Sequence, residues 1–86
     1  MYQAIFSSKA KKAFLKLDKK LAKQIADAVR KLENDPRTPG TIKLDDAPVA
    51  QYRCRVRNYR ILFDINDVEK IIEILDIRKR DEKTYS

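Results

Sequence analysis

Residues 51–63, QYRCRVRNYRILF, alternate in a way that leaves the backbone little choice. Tyr52, Cys54 and Val56 on one side of Arg57-Asn58, and Tyr59, Ile61 and Phe63 on the other, recur at every second residue, the period of a half-buried strand. Joining the two runs by a two-residue turn at Arg57-Asn58 sets the register by counting outward: Val56 faces Tyr59, Cys54 faces Ile61 and Tyr52 faces Phe63. These pairs make a core face, and the other face then sets Arg55 against Arg60 and Arg53 against Leu62. A slip of one residue would turn an arginine into the core, so burial specifies the hairpin strongly. Arg57 is a poor residue for a type I′ turn, which needs φ > 0, and a longer loop that keeps Arg55 and Arg60 on one face is the alternative.

Upstream the period is helical. Tyr2 to Phe6 reads as a short strand, and Ser7 or Ser8 offers a capping oxygen to a helix whose Ala10, Ala13, Phe14 and Leu17 share one face. Asp18 can cap a second helix with a stripe of Leu21, Ile25, Ala28, Val29 and Leu32. Asn34-Asp35-Pro36 ends that helix, because the residue before proline is pushed out of the α region, and RTPGT continues as loop. Strands are expected at 42–44, 51–57 and 59–65, with DDAP and Asn66-Asp67 as turns. KIIEILDI, Lys70 to Ile77, is apolar on both faces, as a strand inside a sheet should be. The order implies one α+β domain over residues 1–86: an N-terminal strand and helical hairpin packed on one face of a mostly antiparallel four- to five-stranded sheet. The other face is left open for function.

Twenty Lys and Arg against thirteen Asp and Glu give a net charge of +7, enough to attract a polyanion, and nucleic acid leads the possible partners. An anionic membrane would also attract such a surface, but no apolar run approaches the roughly 20 residues that span a bilayer. The opening MYQAIFSSKAKK does not read as a secretory signal, and a cytoplasmic location is expected. With no histidine and Cys54 as the sole cysteine, a Ser-His-Asp or Cys-His pair, an internal disulfide and a zinc site of the usual type are excluded. Cys54 itself reads as a small buried apolar residue.

Two arginines directly opposed in a sheet repel by roughly a few tenths to 1 kcal/mol, which folding alone does not explain. A phosphate would remove that penalty, since guanidinium forks match its oxygens bidentately. The alternative is neutralisation by Asp45, Asp46, Asp64 or Asp76; on these residues phosphate binding stands somewhat ahead. The last strand can bring Arg78, Arg80 and Tyr85 to the rim of the same face. Read on its own, Tyr85 is a packing or tail residue.

Over essentially its whole length the chain resembles the RelE/ParE toxin superfamily. The resemblance rests on the helical hairpin ending in LENDP, then Lys43-Leu44, then YRCRVRNYRILFDI, then an apolar strand leading into RKRDEKTY. It implies a toxin of a type II toxin-antitoxin system, held inactive by a cognate antitoxin protein. RelE-like members cleave mRNA in the ribosomal A site; ParE-like members inhibit DNA gyrase instead. Carried onto this chain, the RelE-type catalytic residues are Arg53, Arg55, Arg60, Arg80 and Tyr85, with Lys43, Arg78 and Lys79 as further RNA contacts. All five catalytic positions hold residues able to bind phosphate, which favours the endoribonuclease branch, an mRNA interferase acting on mRNA and the ribosome. The chain departs from studied relatives in carrying arginine at 53 and 55 where they have lysine, in lacking a histidine near Lys79, and in placing Arg57 where many have a turn glycine. The implied chemistry is attack of a ribose 2′-OH on the adjacent 3′ phosphate, with no metal and no small-molecule cofactor. A third possibility is a nucleic-acid-binding module that cuts nothing.

Overall fold

The computed structural model describes residues 1–37, 41–43 and 50–79. Their elements are β1 (Gln3–Phe6), α1 (Ser8–Leu15), α2 (Lys19–Asn34), β2 (Thr41–Lys43), β3 (Tyr52–Val56), β4 (Tyr59–Asn66) and β5 (Ile71–Lys79). They form the expected α+β arrangement, a five-stranded sheet in the order β1-β5-β4-β3-β2. All neighbours are antiparallel except β1 and β5, which run parallel with Gln3 opposite Ile71 and Phe6 opposite Ile74. The DDAP turn, Leu44 and the RKRDEKTYS tail beyond Lys79 lie outside the described residues.

Local chemistry sets the helix ends. Of the two candidate serines, Ser7 is the cap: its Oγ accepts from the Ala10 N–H at 3.1 Å and also donates to the Leu75 carbonyl at 2.8 Å, tying the start of α1 to β5. Asp18 Oδ1 accepts from the Leu21 N–H at 2.8 Å and starts α2. Asp35 is extended (φ −152°, ψ 96°), as a residue before proline should be, and α2 stops there. Both helices press an apolar stripe on one face of the sheet. Ala10, Ile25, Val29 and Leu32 meet Ile61, Phe63, Ile72, Ile74 and Ile77, all buried.

The hairpin of β3 and β4 has the register that alternation predicts, Val56 to Tyr59, Cys54 to Ile61 and Tyr52 to Phe63, and the last pair stacks with ring centroids 5.8 Å apart. Its turn is the two-residue Arg57-Asn58 connection, with Arg57 left-handed at φ 54° and Asn58 not. That is not a type I′ turn, which needs both residues left-handed. Several details differ from the sequence expectation, among them β5, which runs to Lys79 and not only to Ile77. Lys70 belongs to the turn before β5, at φ 58°, where Asn66 Oδ1 accepts from the Val68 and Glu69 N–H groups. The face opposite the helices is also not uniformly open, because Leu62 is buried there.

The ladder between β4 and β5 carries a bulge: Leu62 pairs with Asp76 and Phe63 with Ile74, leaving Leu75 as the extra residue. At the outer edge of β1, the Ala4 N–H donates to Glu33 Oε2 at 2.8 Å and the Tyr2 N–H to the Glu33 carbonyl at 2.8 Å, so α2 supplies the partners that a further strand would.

Asp67 joins three distant parts of the chain. Arg37 donates to both its oxygens, at 3.2 and 3.0 Å, and the Tyr2 hydroxyl to Oδ1 at 2.5 Å. The Arg37 bond first, and the Tyr2 bond second, lower its carboxyl to about 2. A carboxyl depressed by folding stabilises the native state above its unfolded pKa, and that contribution is lost as the pH falls through the folded value. Asp67→Asn should therefore lower the melting temperature at neutral pH. The gap from the parent should close between about pH 4, where an unfolded aspartate protonates, and about 2; thermal melts across that range check it. Arg57→Gly should relieve the left-handed residue and raise stability by roughly 0.5–1 kcal/mol in chemical denaturation.

Candidate functional site

On the sheet face away from the helices, register brings three arginines into one rank. Arg55 on β3 is directly opposite Arg60 on β4, and Arg60 is directly opposite Arg78 on β5. Arg53 lies on the same face, opposite Leu62. Arg55 and Arg78 are exposed, while Arg53 and Arg60 are half-buried. Among the described residues, the fully buried Arg60 Nε has no hydrogen-bond partner, a costly state for a donor of a charged group. Two opposed guanidiniums with no counter-charge among the described residues favour an anion between them.

Two acids of the sheet have partners other than Arg53, Arg55 and Arg60. Asp64 Oδ1 accepts from the Gln51 N–H at 2.7 Å, and Asp76 Oδ2 is 2.7 Å from Arg78 Nε and 3.6 Å from Lys9 Nζ. Among the described residues, no ion pair reaches Arg53, Arg55 or Arg60. Asp45 and Asp46, the other acids considered as neutralisers, lie outside the described residues, as do Arg80 and Tyr85.

Not every expected contact joins the rank. Lys79 pairs with Tyr59, one step along the pleat from the Arg60–Arg78 pair, and so alternates to the opposite face. Lys43 registers with Tyr52 and Ile42 with Arg53. The period-2 alternation that collects Arg55, Arg60 and Arg78 separates Lys79 from them. The residue that sequence reasoning undervalued is Asp76. It was one of four possible neutralisers, whereas it holds Arg78 and leaves Arg60 alone; its signal was a lone acid at the end of the apolar run IIEIL.

The charge of the molecule is unevenly distributed. Residues 8–31, the two helices and their junction, carry nine lysines and arginines against two aspartates, while the rest of the chain holds eleven of each sign. The net +7 therefore sits on the helical layer, and the arginine rank is a local feature of a charge-balanced remainder. Cys54, on the helix side of β3, is half-buried, and burial pushes its thiol above the ordinary range, which disfavours the nucleophilic thiolate. Among the described residues no group of three His, Cys, Asp or Glu side chains could hold a metal ion, and no helix is long and apolar enough to cross a membrane.

Residues 4–84 match a family model described as the ParE toxin of the type II toxin-antitoxin system parDE. No curated protein matches the chain. Among solved structures, the chain is similar to the archaeal RelE–RelB complex from Pyrococcus horikoshii, at 26% identity with a TM-score of 0.80, covering 94% of this chain and 97% of that one. It is similar in fold to the intact Escherichia coli RelBE toxin-antitoxin complex (21% identity, 95% and 100% covered, TM-score 0.80). The isolated E. coli RelE toxin is a further neighbour in fold (22% identity, 99% and 92% covered, TM-score 0.82).

A site of opposed arginines lacking an anion should respond to one. Replacing chloride by inorganic phosphate at constant ionic strength should raise the melting temperature by a few degrees, since about 1 kcal/mol of linked binding moves a domain of this size by roughly 4–8 °C. Arg60→Gln should remove most of that rise.

Proposed function

The chain belongs to the RelE/ParE family of toxins of type II toxin-antitoxin systems, and we propose that it acts as the RelE-like members do, as an endoribonuclease that cleaves mRNA in the ribosomal A site, restrained by a cognate antitoxin protein. The observation that carries this reading is the rank of Arg55 and Arg60, opposed across the β3–β4 ladder with no ion pair to either among the described residues. Similarity in fold to RelE toxins, including two seen in complex with RelB, supports it.

In the proposed reaction the ribose 2′-oxygen forms a bond to the adjacent phosphorus and the bond from phosphorus to the 5′-oxygen breaks. The 2′-OH loses its proton, the 5′-oxygen gains one, and the products are a 2′,3′-cyclic phosphate and a 5′-OH. Negative charge grows on the phosphoryl oxygens in the transition state, where donors already aimed by the sheet stabilise it more than they stabilise the substrate. Arg55 and Arg60 take that role, and Arg53 holds the backbone or assists the nucleophile. By resemblance, Arg80 stabilises or protonates the leaving 5′-oxygen and Tyr85 orients the nucleotide. Arginine keeps its proton to above about pH 12, so alignment of the 2′-OH in line with the leaving oxygen supplies much of the rate. The route needs no metal and no cofactor.

A second reading has an observation of its own, since the matching family model is that of ParE toxins. A ParE-like chain would inhibit DNA gyrase and cut nothing. A translation extract in which message ends are mapped, run beside a gyrase supercoiling assay, separates the two. The nuclease reading expects cut ends from wild type, reduced about 10²–10³-fold by Arg60→Ala or Arg55→Ala. Cutting undiminished by Arg60→Ala would sink the assignment; inhibited supercoiling with intact messages would establish the gyrase alternative.

A further inference from the structure

Asp76 is a charge buried at the end of an otherwise largely apolar strand. It is 4% exposed, the sole buried charged residue among those described. Desolvating a carboxylate is costly, and replacing a buried ion pair by apolar residues of similar volume is often neutral or favourable for stability. Its two oxygens are separately engaged. Oδ1 accepts from the Ile77 N–H at 2.8 Å, which fixes the carboxylate against its own backbone, and Oδ2 accepts from Arg78 Nε at 2.7 Å. Lys9 Nζ, at the start of α1, stands 3.6 Å from the same Oδ2. Burial opposes the charge on Asp76, but the Arg78 and Ile77 hydrogen bonds and the nearby Lys9 outweigh it and hold the carboxyl below its ordinary value.

The consequence falls on Arg78. Its guanidinium is tied through Nε alone, and among the described residues both terminal nitrogens keep their donors unassigned. The bulge at Leu62/Phe63 sets Asp76 opposite Leu62, two residues before Arg78 takes its place across from Arg60. Bulges commonly re-aim a side chain beside a functional site.

We propose that Asp76 is a positioning residue: by gripping Arg78 through Nε, it fixes a third guanidinium beside Arg60 and turns the Arg55–Arg60 pair into a three-arginine site for the phosphates of single-stranded RNA. This rests on the reading of the arginine face as an RNA site. It makes a prediction opposite in sign to simple electrostatics. Were Asp76 only a counter-charge, its removal would leave the site more positive and tighten RNA binding; as a positioning residue, its removal weakens binding in spite of the added positive charge.

The probe is a short single-stranded RNA with 2′-O-methyl groups, which cannot be cut by 2′-OH attack, and its binding is read by fluorescence anisotropy. Asp76→Leu and Arg78→Gln should each weaken binding by about three- to tenfold, and the double variant should be no weaker than either single one, because both remove the same placed guanidinium. Asp76→Leu takes the acceptor from the Ile77 N–H, Arg78 and Lys9 and should melt somewhat lower, while a far-UV spectrum and a cooperative melt like the wild type's separate positioning from general damage. Where Asp76→Leu does not fold, Asp76→Asn, equal in size and uncharged, takes its place with the same expected loss. Binding that depends on Arg60, shown by Arg60→Gln, yet is unchanged or tighter without Asp76, overturns the positioning role alone. Wild-type binding that Arg60→Gln leaves untouched, or no binding at all, overturns the RNA reading of the face and this role with it.

Discussion

Burial of one face of the β3–β4 hairpin against the helices is the constraint on which the rest depends. Phe63 and Ile61 are wholly buried, and Tyr52, Cys54 and Val56 pack against the same core. A strand side chain has two faces to choose between, so placing these residues inward places their neighbours outward without further instruction. Arg55 and Arg60 oppose each other because Val56 and Tyr59, and Cys54 and Ile61, do so on the other face. Cross-strand repulsion of roughly 1 kcal/mol or less cannot overturn a register held by the burial of several large side chains, each contributing roughly 1.5–3 kcal/mol. The arginine face is thus imposed by the core, and its electrostatic cost is tolerated.

The same logic explains what could be read from the sequence. Alternation, a two-residue turn and the penalty for a buried arginine were enough to obtain the hairpin register pair by pair, and the caps at Ser7 and Asp18 are local signals that need no tertiary knowledge. The bulge at Leu62/Phe63 had no such signal, because it belongs to the fit between two strands and not to either one. The bulge also shifts the count along β5, which is why Arg78 joins the rank and Lys79 leaves it. Asp67 meets Arg37 and Tyr2 across 30 and 65 residues of chain, a contact that no periodicity encodes. Of the proposed catalytic set, Arg53, Arg55 and Arg60 share a face; Arg80 and Tyr85 rest on the resemblance, since they follow the last described residue.

Two kinds of positive charge serve different ends here. The lysines of α1 and α2 are exposed and carry the net charge of the chain; they act at the range of a Debye length, about 10 Å at moderate salt, and attract any polyanion. The arginines of the sheet are few and fixed by strand pairing, and their planar donors act only within hydrogen-bond distance. On the proposed reading, the first kind raises the local concentration of a nucleic acid without choosing how it lies. The second kind chooses. Because the helical layer and the arginine face lie on opposite sides of the sheet, capture and placement can be weakened independently by substitution.

Glu33 has a consequence for how copies of the chain meet one another. A sheet with two live edges can add strands at both and grow into a fibre, whereas a sheet with one edge closed can pair once and then stops. By giving a side-chain oxygen to the Ala4 N–H and a carbonyl to the Tyr2 N–H, this single glutamate occupies the outer donors at the start of β1. The start of β1 therefore offers fewer free donors to a strand from another molecule, and the last turn of α2 works there as a guard on the sheet edge.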